Sequence, residues 1–180
     1  MHNSLDRNRI KTLFSEQNIL QQIEKISTEI EKDYCNQPDL LVLIVMKGAF
    51  LFGSDILKRL KLNVRVEFIE ISSYGERGTT PGKITIVKEP NVEFNNQHIL
   101  IIEDIIDTGQ TADFLHTYLM KKKPASLNWC VLLQKPNPPE NVIPKYVAFQ
   151  APDKFLIGYG LDYKELYRNL PYIGYIESFE

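Results

Sequence analysis

Cysteine is scarce in this sequence, and what there is has no pattern. Cys35 and Cys130 are the only two, far apart and at no metal-ligand or redox spacing. A disulfide framework and a Cys-based metal site are thereby excluded, and two reduced thiols in a cytoplasmic setting are expected. Histidine is equally sparse: His2, His98 and His116 stand at no metal-ligand spacing and beside no Cys or Ser partner, so no role is assigned to them. A basic excess is missing too. Lys and Arg number 21 against 23 Asp and Glu, for a net charge of −2, so no field for a nucleic-acid partner is expected. No apolar run approaches the roughly 20 residues that span a bilayer, and the first twenty residues hold no apolar stretch of signal-peptide length. A soluble, unexported protein without a membrane partner is predicted. Neither a Walker A pattern nor a G-x-G-x-x-G is present, which argues against a P-loop ATPase and a dinucleotide enzyme. There is no internal repeat, heptad run or low-complexity linker.

What is present is a globular composition. The 180 residues are 43% hydrophobic and 24% charged, enough for one domain, residues 1–180, around a single core. Residues 15–34 carry Ile19, Ile23, Ile26 and Ile30 at spacings of four and three, with Ser15 at the N-cap position, and predict an amphipathic helix. Residues 40–45 are an unbroken apolar run, as for a strand buried on both faces. A turn and helix follow in "MKGAFLFGSDILKRL". Residues 64–71 alternate as a strand does, "SSYGERGTTPGK" reads as a polar loop, and "ITIV" and "VEF" read as short β pieces. A strand at 99–102, a helix at 111–122 and a β-rich run at 127–133 come next. "KPNPPENVIP" must be irregular, because its prolines lack donors. "YVAF" and "FLIGYG" read as short strands, and the tail as a helical turn before a last strand. Strands alternating with helices predict a mostly parallel sheet, with a small β appendage from the chain ends. Ligands of such sheets bind beyond the carboxyl ends of the strands.

At one such end stands "ILIIEDIIDTGQT", residues 99–111. An apolar run gives way to Glu103, Asp104 and Asp107, and carboxylates leave water only when cations or hydrogen bonds compensate. Residues 108–111, Thr108, Gly109, Gln110 and Thr111, turn into a helix whose N–H groups, with two hydroxyls, form an anion cradle. Glu103 and Asp104 can hold a diol or a hydrated Mg²⁺. A phosphate site beside a diol site describes a ribose 5-phosphate. Taken alone, "DTGQT" is more often a helix cap than a ligand site; the full pattern after an apolar strand is far more specific.

That stretch resembles the phosphoribosyl-pyrophosphate motif of the type I phosphoribosyltransferases. "MKGAFLFGSDI", "SSYG", "LLQKP" and "PDKFLIGYGLDYKELYRNLPYI" resemble, in order, the pyrophosphate loop, mobile loop, purine-binding strand and hood of the hypoxanthine-guanine phosphoribosyltransferases. The similarity covers about residues 40–176. It implies an α/β type I phosphoribosyltransferase fold, a mostly parallel twisted sheet with a hood and a flexible active-site loop. It further implies Mg²⁺-dependent transfer of a 5-phosphoribosyl group to N9 of hypoxanthine or guanine, giving IMP or GMP and pyrophosphate.

The resemblance also assigns roles. Lys47, Gly48 and Arg168 would contact pyrophosphate, with an often cis peptide before Lys47. Ser73 and Tyr74 would belong to the mobile loop. Lys135 would bond the purine O6, Phe155 would stack on the base, Leu156 would offer main-chain groups, and Asp162 would sit near the base. Mg²⁺ would involve Glu103, Asp104 and Asp162. Residues 107–111 would take the 5′-phosphate, and Asp107 would serve as base or acceptor at N7. A homodimer or homotetramer is implied. Two alternatives stay open: a sibling enzyme acting on another base such as xanthine, and a non-catalytic regulator on the same fold.

Overall fold

The computed structural model describes residues 7–37, 39–74, 83–136, 138 and 140–176. A short 3₁₀ turn leads into β1 (Ile10–Phe14), α1 (Glu16–Tyr34), β2 (Leu40–Met46), α2 (Phe50–Leu57), β3 (Val64–Tyr74) and β4 (Lys83–Lys88). The chain continues through β5 (His98–Ile106), α3 (Gln110–Met120), β6 (Ser126–Gln134), β7 (Tyr146–Gln150), β8 (Leu156–Ile157) and β9 (Ile173–Ile176). Among the described residues two sheets result: six strands in the order β4-β3-β2-β5-β6-β7, and three in the order β1-β9-β8. In the large sheet every pairing is parallel except that of β3 with the edge strand β4.

Sequence pattern explains the layers. On β2, β5 and β6 successive side chains point to opposite faces, and both faces are apolar. Val42, Ile44, Leu100, Ile102 and Leu132 enter a core with α1 and α2. Leu41, Leu43, Ile99, Ile101 and Val131 enter a second core with α3. The period of α1 places Ile19, Ile23, Ile26 and Ile30 against the first face. Each such side chain contributes roughly 1.5–3 kcal/mol on full burial. Ser15 caps α1, its hydroxyl accepting from the Asn18 N–H at 3.2 Å while Asn18 accepts from the Ser15 N–H at 3.3 Å.

The small sheet is made by the chain ends: β1 pairs antiparallel with β9, which pairs with β8. Its Leu156 and Ile173 belong to the core that holds Ile44 and Phe52. Phe14 stacks on Phe149 of β7, with ring centroids 4.0 Å apart. No helix among the described residues is long and apolar enough to cross a membrane.

Four local expectations are corrected. "VEF" is not a strand; Pro90 interrupts the chain after β4, and Phe94 instead plugs the α3-side core at 2% exposure. The strand at 99–102 runs on to Ile106, because β6 supplies partners as far as Gln134. β3 likewise runs on to Tyr74, paired with β4. Ser73 and Tyr74 are therefore strand in backbone, and residues 75–82 of the expected mobile loop lie outside the described residues. The expected helical turn in the tail is absent. Residues 158–168 form bridged turns, with Lys164, Glu165 and Tyr167 at positive φ.

Candidate active site

The strand order reverses between β2 and β5. The chain leaves β2 through α2 toward β3 on one side, and leaves β5 through α3 toward β6 on the other. Such a switch point opens a crevice at the carboxyl ends of the two strands. There lies a cleft of about 380 Å³, lined by Met46, Gly48, Glu103, Asp104 and Asp162, and by every residue from Asp107 to Thr111. Gly109 stands at φ +77° at the N-cap of α3, a left-handed conformation that glycine adopts without cost. The turn can thus swing the first amide groups of α3 toward the cleft.

A second cleft of about 230 Å³ adjoins it, lined by Lys135, Lys154, Phe155, Leu156 and Leu161. The two clefts share Asp104, Ile105, Asp107 and Asp162. Lys135, at the end of β6, is only 11% exposed in its side chain and donates to Asp107 Oδ2 at 2.9 Å and to Asp153 Oδ1 at 3.4 Å. Phe155 is 45% exposed and stands edge-on to Tyr163, with ring centroids 5.9 Å apart. An aromatic face offered beside a lysine suits a flat, oxygen-bearing heterocycle. Leu156 is buried on β8.

Glu103 is buried within this edge of the sheet. Desolvation, then the neighbouring Asp104 charge, pushes its carboxyl well above the usual range. It accepts from the Asp104 N–H at 3.1 Å, and Asp104 accepts from the Ile105 N–H at 2.9 Å. Neither has a cationic partner among the described residues. The Met46–Lys47 peptide is cis. Gly48 packs so tightly on Asp104 that a Cβ there would fall 1.6 Å from its Oδ2. Gly160, at φ +102°, packs in turn on the Gly48 carbonyl oxygen, where a Cβ would fall at 2.0 Å.

Lys47 and Arg168 are brought to one place through Glu165. Lys47 Nζ meets Glu165 Oε2 at 3.1 Å, and Arg168 meets Glu165 Oε1 at 3.3 Å and Asp162 Oδ1 at 2.9 Å. Arg168 also donates to the Gly160 carbonyl at 2.9 Å, while its Nε is buried without a hydrogen-bond partner among the described residues.

The three carboxylates expected to share a metal do not form a closed set. Asp162 already accepts from Arg168 and from the Glu165 N–H at 2.8 Å. No three His, Cys, Asp or Glu side chains among the described residues group as a metal site. Glu103 and Asp104 nevertheless fit a hard divalent cation. They are oxygen donors at a cleft, without a cationic partner among the described residues, and Mg²⁺ takes one or two carboxylates and fills its remaining positions with water and phosphate.

Sequence patterns passed over Ile105, Lys154, Asp153, Gly160 and Glu165. Their contacts became visible only when separate segments met.

Residues 9–164 match the phosphoribosyl transferase domain family. The hypoxanthine-guanine phosphoribosyltransferase of Aquifex aeolicus is 38% identical over 171 residues, 94% of this chain and 96% of that protein. The crystal structure of a hypoxanthine phosphoribosyltransferase from Staphylococcus aureus superposes with a TM-score of 0.88 at 36% identity, covering 98% of this chain and 97% of that one. That of Trypanosoma cruzi, in complex with the product IMP, gives 0.86 at 33% identity over 96% and 97%. With these likenesses spanning nearly the whole chain, and with the paired clefts at the switch point, the chain belongs to the hypoxanthine-guanine phosphoribosyltransferases, a family of the type I phosphoribosyltransferase fold.

Proposed function

We propose that the chain transfers the 5-phosphoribosyl group of phosphoribosyl-pyrophosphate to N9 of hypoxanthine or guanine, giving IMP or GMP and pyrophosphate in purine salvage. The observation that carries this reading is the joining of the two clefts through Asp104, Ile105, Asp107 and Asp162. An anion cradle and an aromatic-faced slot share one wall, as a reaction joining a phosphorylated sugar to a flat base requires.

In the proposed mechanism the bond from C1′ to the pyrophosphate oxygen breaks, the bond from C1′ to N9 forms, and C1′ is cation-like between. The 5′-phosphate binds in residues 107–111, supplying remote binding energy for positioning. Glu103 and Asp104 would hold the ribose hydroxyls and Mg²⁺, and the ion when bound would supply charge neutralisation for the leaving pyrophosphate. Lys47, the Gly48 amide and Arg168 take the pyrophosphate, where the planar fork of Arg168 suits paired oxygens. Lys135 donates to the purine O6, and Phe155 stacks on the ring, worth roughly 1–3 kcal/mol by comparison with base–aromatic stacking. Leu156 contributes its main chain, and Asp162 stands beside the base. Asp107 accepts the proton at N7 as N9 bonds to C1′. Its 2.9 Å contact with Lys135 supports both roles, because the lysine keeps the carboxylate oriented until a base arrives.

Cytoplasmic residence and assembly into a homodimer or homotetramer belong to the same proposal, and sizing with light scattering tests the assembly. For the activity, phosphoribosyl-pyrophosphate and Mg²⁺ are supplied with hypoxanthine, guanine or xanthine separately, and pyrophosphate is measured. Release with hypoxanthine or guanine is expected. Release with xanthine alone would move the chain to the sibling specificity, and no release with any base would point to a regulator.

A further inference from the structure

The turns between β8 and β9 carry an anion that the mechanism leaves unused. Glu165 sits at φ +64°, and its backbone N–H is tied to Asp162 Oδ2 at 2.8 Å. Its carboxylate is thereby aimed back at the Lys47 loop. Oε2 meets Lys47 Nζ at 3.1 Å, and Oε1 meets Arg168 at 3.3 Å. One carboxylate thus bridges the two cations assigned above to pyrophosphate. The hydrogen bond from Lys47, followed by the Arg168 charge, holds Glu165 below the usual carboxylate range, so it stays ionised.

The contacts are easily exchanged. The Lys47 and Glu165 side chains are 53% and 66% exposed, and ion pairs so placed are individually weak. Pyrophosphate brings several negative charges against the single one of Glu165, and in a fork geometry that Arg168 favours. The mount of Glu165 is stiff by contrast. Gly160 is pressed on the Gly48 carbonyl, and Arg168 donates to the Gly160 carbonyl. The turn and the pyrophosphate loop are wired together, so a carboxylate displaced by the ligand remains close by.

We propose that Glu165 is a resident counter-anion of the pyrophosphate site. It occupies Lys47 and Arg168 when no pyrophosphate is bound, yields them when it binds, and competes for them again as it leaves. Affinity for free pyrophosphate is lowered and its departure hastened, while the base and 5′-phosphate subsites are untouched. The proposal rests on the reading that Lys47 and Arg168 hold pyrophosphate.

The test titrates the intact protein with pyrophosphate in the presence of Mg²⁺, and separately with IMP, by calorimetry. Glu165→Gln should bind pyrophosphate roughly 3–10-fold more tightly, the scale of removing one or two exposed charge contacts, with IMP affinity unchanged. Glu165→Asp, which keeps the charge, should stay nearer the wild type. Lys47→Ala and Arg168→Ala should weaken pyrophosphate. If these two weaken it and Glu165→Gln leaves it unchanged or weaker, the counter-anion role is overturned. Weakening of both pyrophosphate and IMP by Glu165→Gln would make the residue merely structural and overturn it as well. Pyrophosphate binding insensitive to both cations would remove the assignment beneath it, and the proposal with it.

Discussion

Gly48 and Asp104 meet across the switch point with no room for a further atom: a Cβ on Gly48 would lie 1.6 Å from Asp104 Oδ2. The two residues come from different strand ends, one just past β2 and the other on β5. The close approach lets the amide after the cis peptide and the proposed ribose- and metal-binding carboxylate share one wall of the cleft.

Gly48→Ala should therefore displace the Asp104 carboxylate. Asp104 is short and the methyl group cannot be avoided, so kcat/KM for phosphoribosyl-pyrophosphate should fall by roughly 10²-fold, the scale of an ångström of misplacement at a reacting centre. Purine binding should change much less. Steady-state kinetics with each substrate varied checks this; an equal fall for both substrates would contradict it.

Asp107→Asn keeps the shape and removes the proton acceptor. The turnover number should drop by about 10²–10⁴-fold, the usual contribution of a general base, while the affinity for phosphoribosyl-pyrophosphate changes little. Single-turnover measurements separate the two quantities, and an unchanged chemical step would end the assignment of Asp107.

Lys135→Ala removes the donor proposed for O6 and leaves Asp107 and Asp153 without their shared cation. Hypoxanthine and guanine binding should weaken far more than phosphoribosyl-pyrophosphate binding. Titration of each ligand decides: parallel losses would show a general collapse of the site rather than loss of base recognition.

Glu103 sets a pH dependence. Its folded-state carboxyl is raised well above the ordinary value of 4.5, first by burial and then by Asp104. A raised group contributes stability that is present below the unfolded value and is lost as pH rises through the folded one. Glu103→Gln should abolish that loss. Without ligands, its Tm should exceed that of the wild type on the alkaline side and the two should converge in acid. Activity should fall in the same variant, since a neutral amide holds Mg²⁺ and sugar hydroxyls less well. A Tm difference independent of pH would show that Glu103 does not titrate in this way.

The elements that local pattern can encode were legible in the chain. The period of α1, with Ser15 as its cap, needs only 3.6-residue spacing and a hydroxyl, and the helix lies at Glu16–Tyr34. The unbroken apolar run of β2 announced a strand covered on both faces, and the apolar run at 99–102 announced a second strand, which a parallel sheet with helices on each side accommodates. The motif at residues 99–111 was readable because phosphate, diol and turn chemistry are all carried on consecutive residues.

Where pairing or contact decides, the chain was silent. Ser73 and Tyr74 read as loop by their polarity, yet β4 extends β3 to them. "VEF" has strand-forming residues but no strand to pair with, and Phe94 went to the core instead. The tail read as a helical turn, but Lys164, Glu165 and Tyr167 are held at positive φ by the bridged turns around them. By itself the sequence determined the main elements whose period is local, α1, β2 and the start of β5 among them, and which residue types could bind a phosphorylated sugar. Only the tertiary structure decided that Lys135 faces Asp107, that Gly48 leaves no space beside Asp104, and that Glu165 stands between Lys47 and Arg168. The reason is physical: amphipathic period and turn chemistry are properties of neighbours along the chain, whereas charge pairing and close packing depend on distances that folding alone creates.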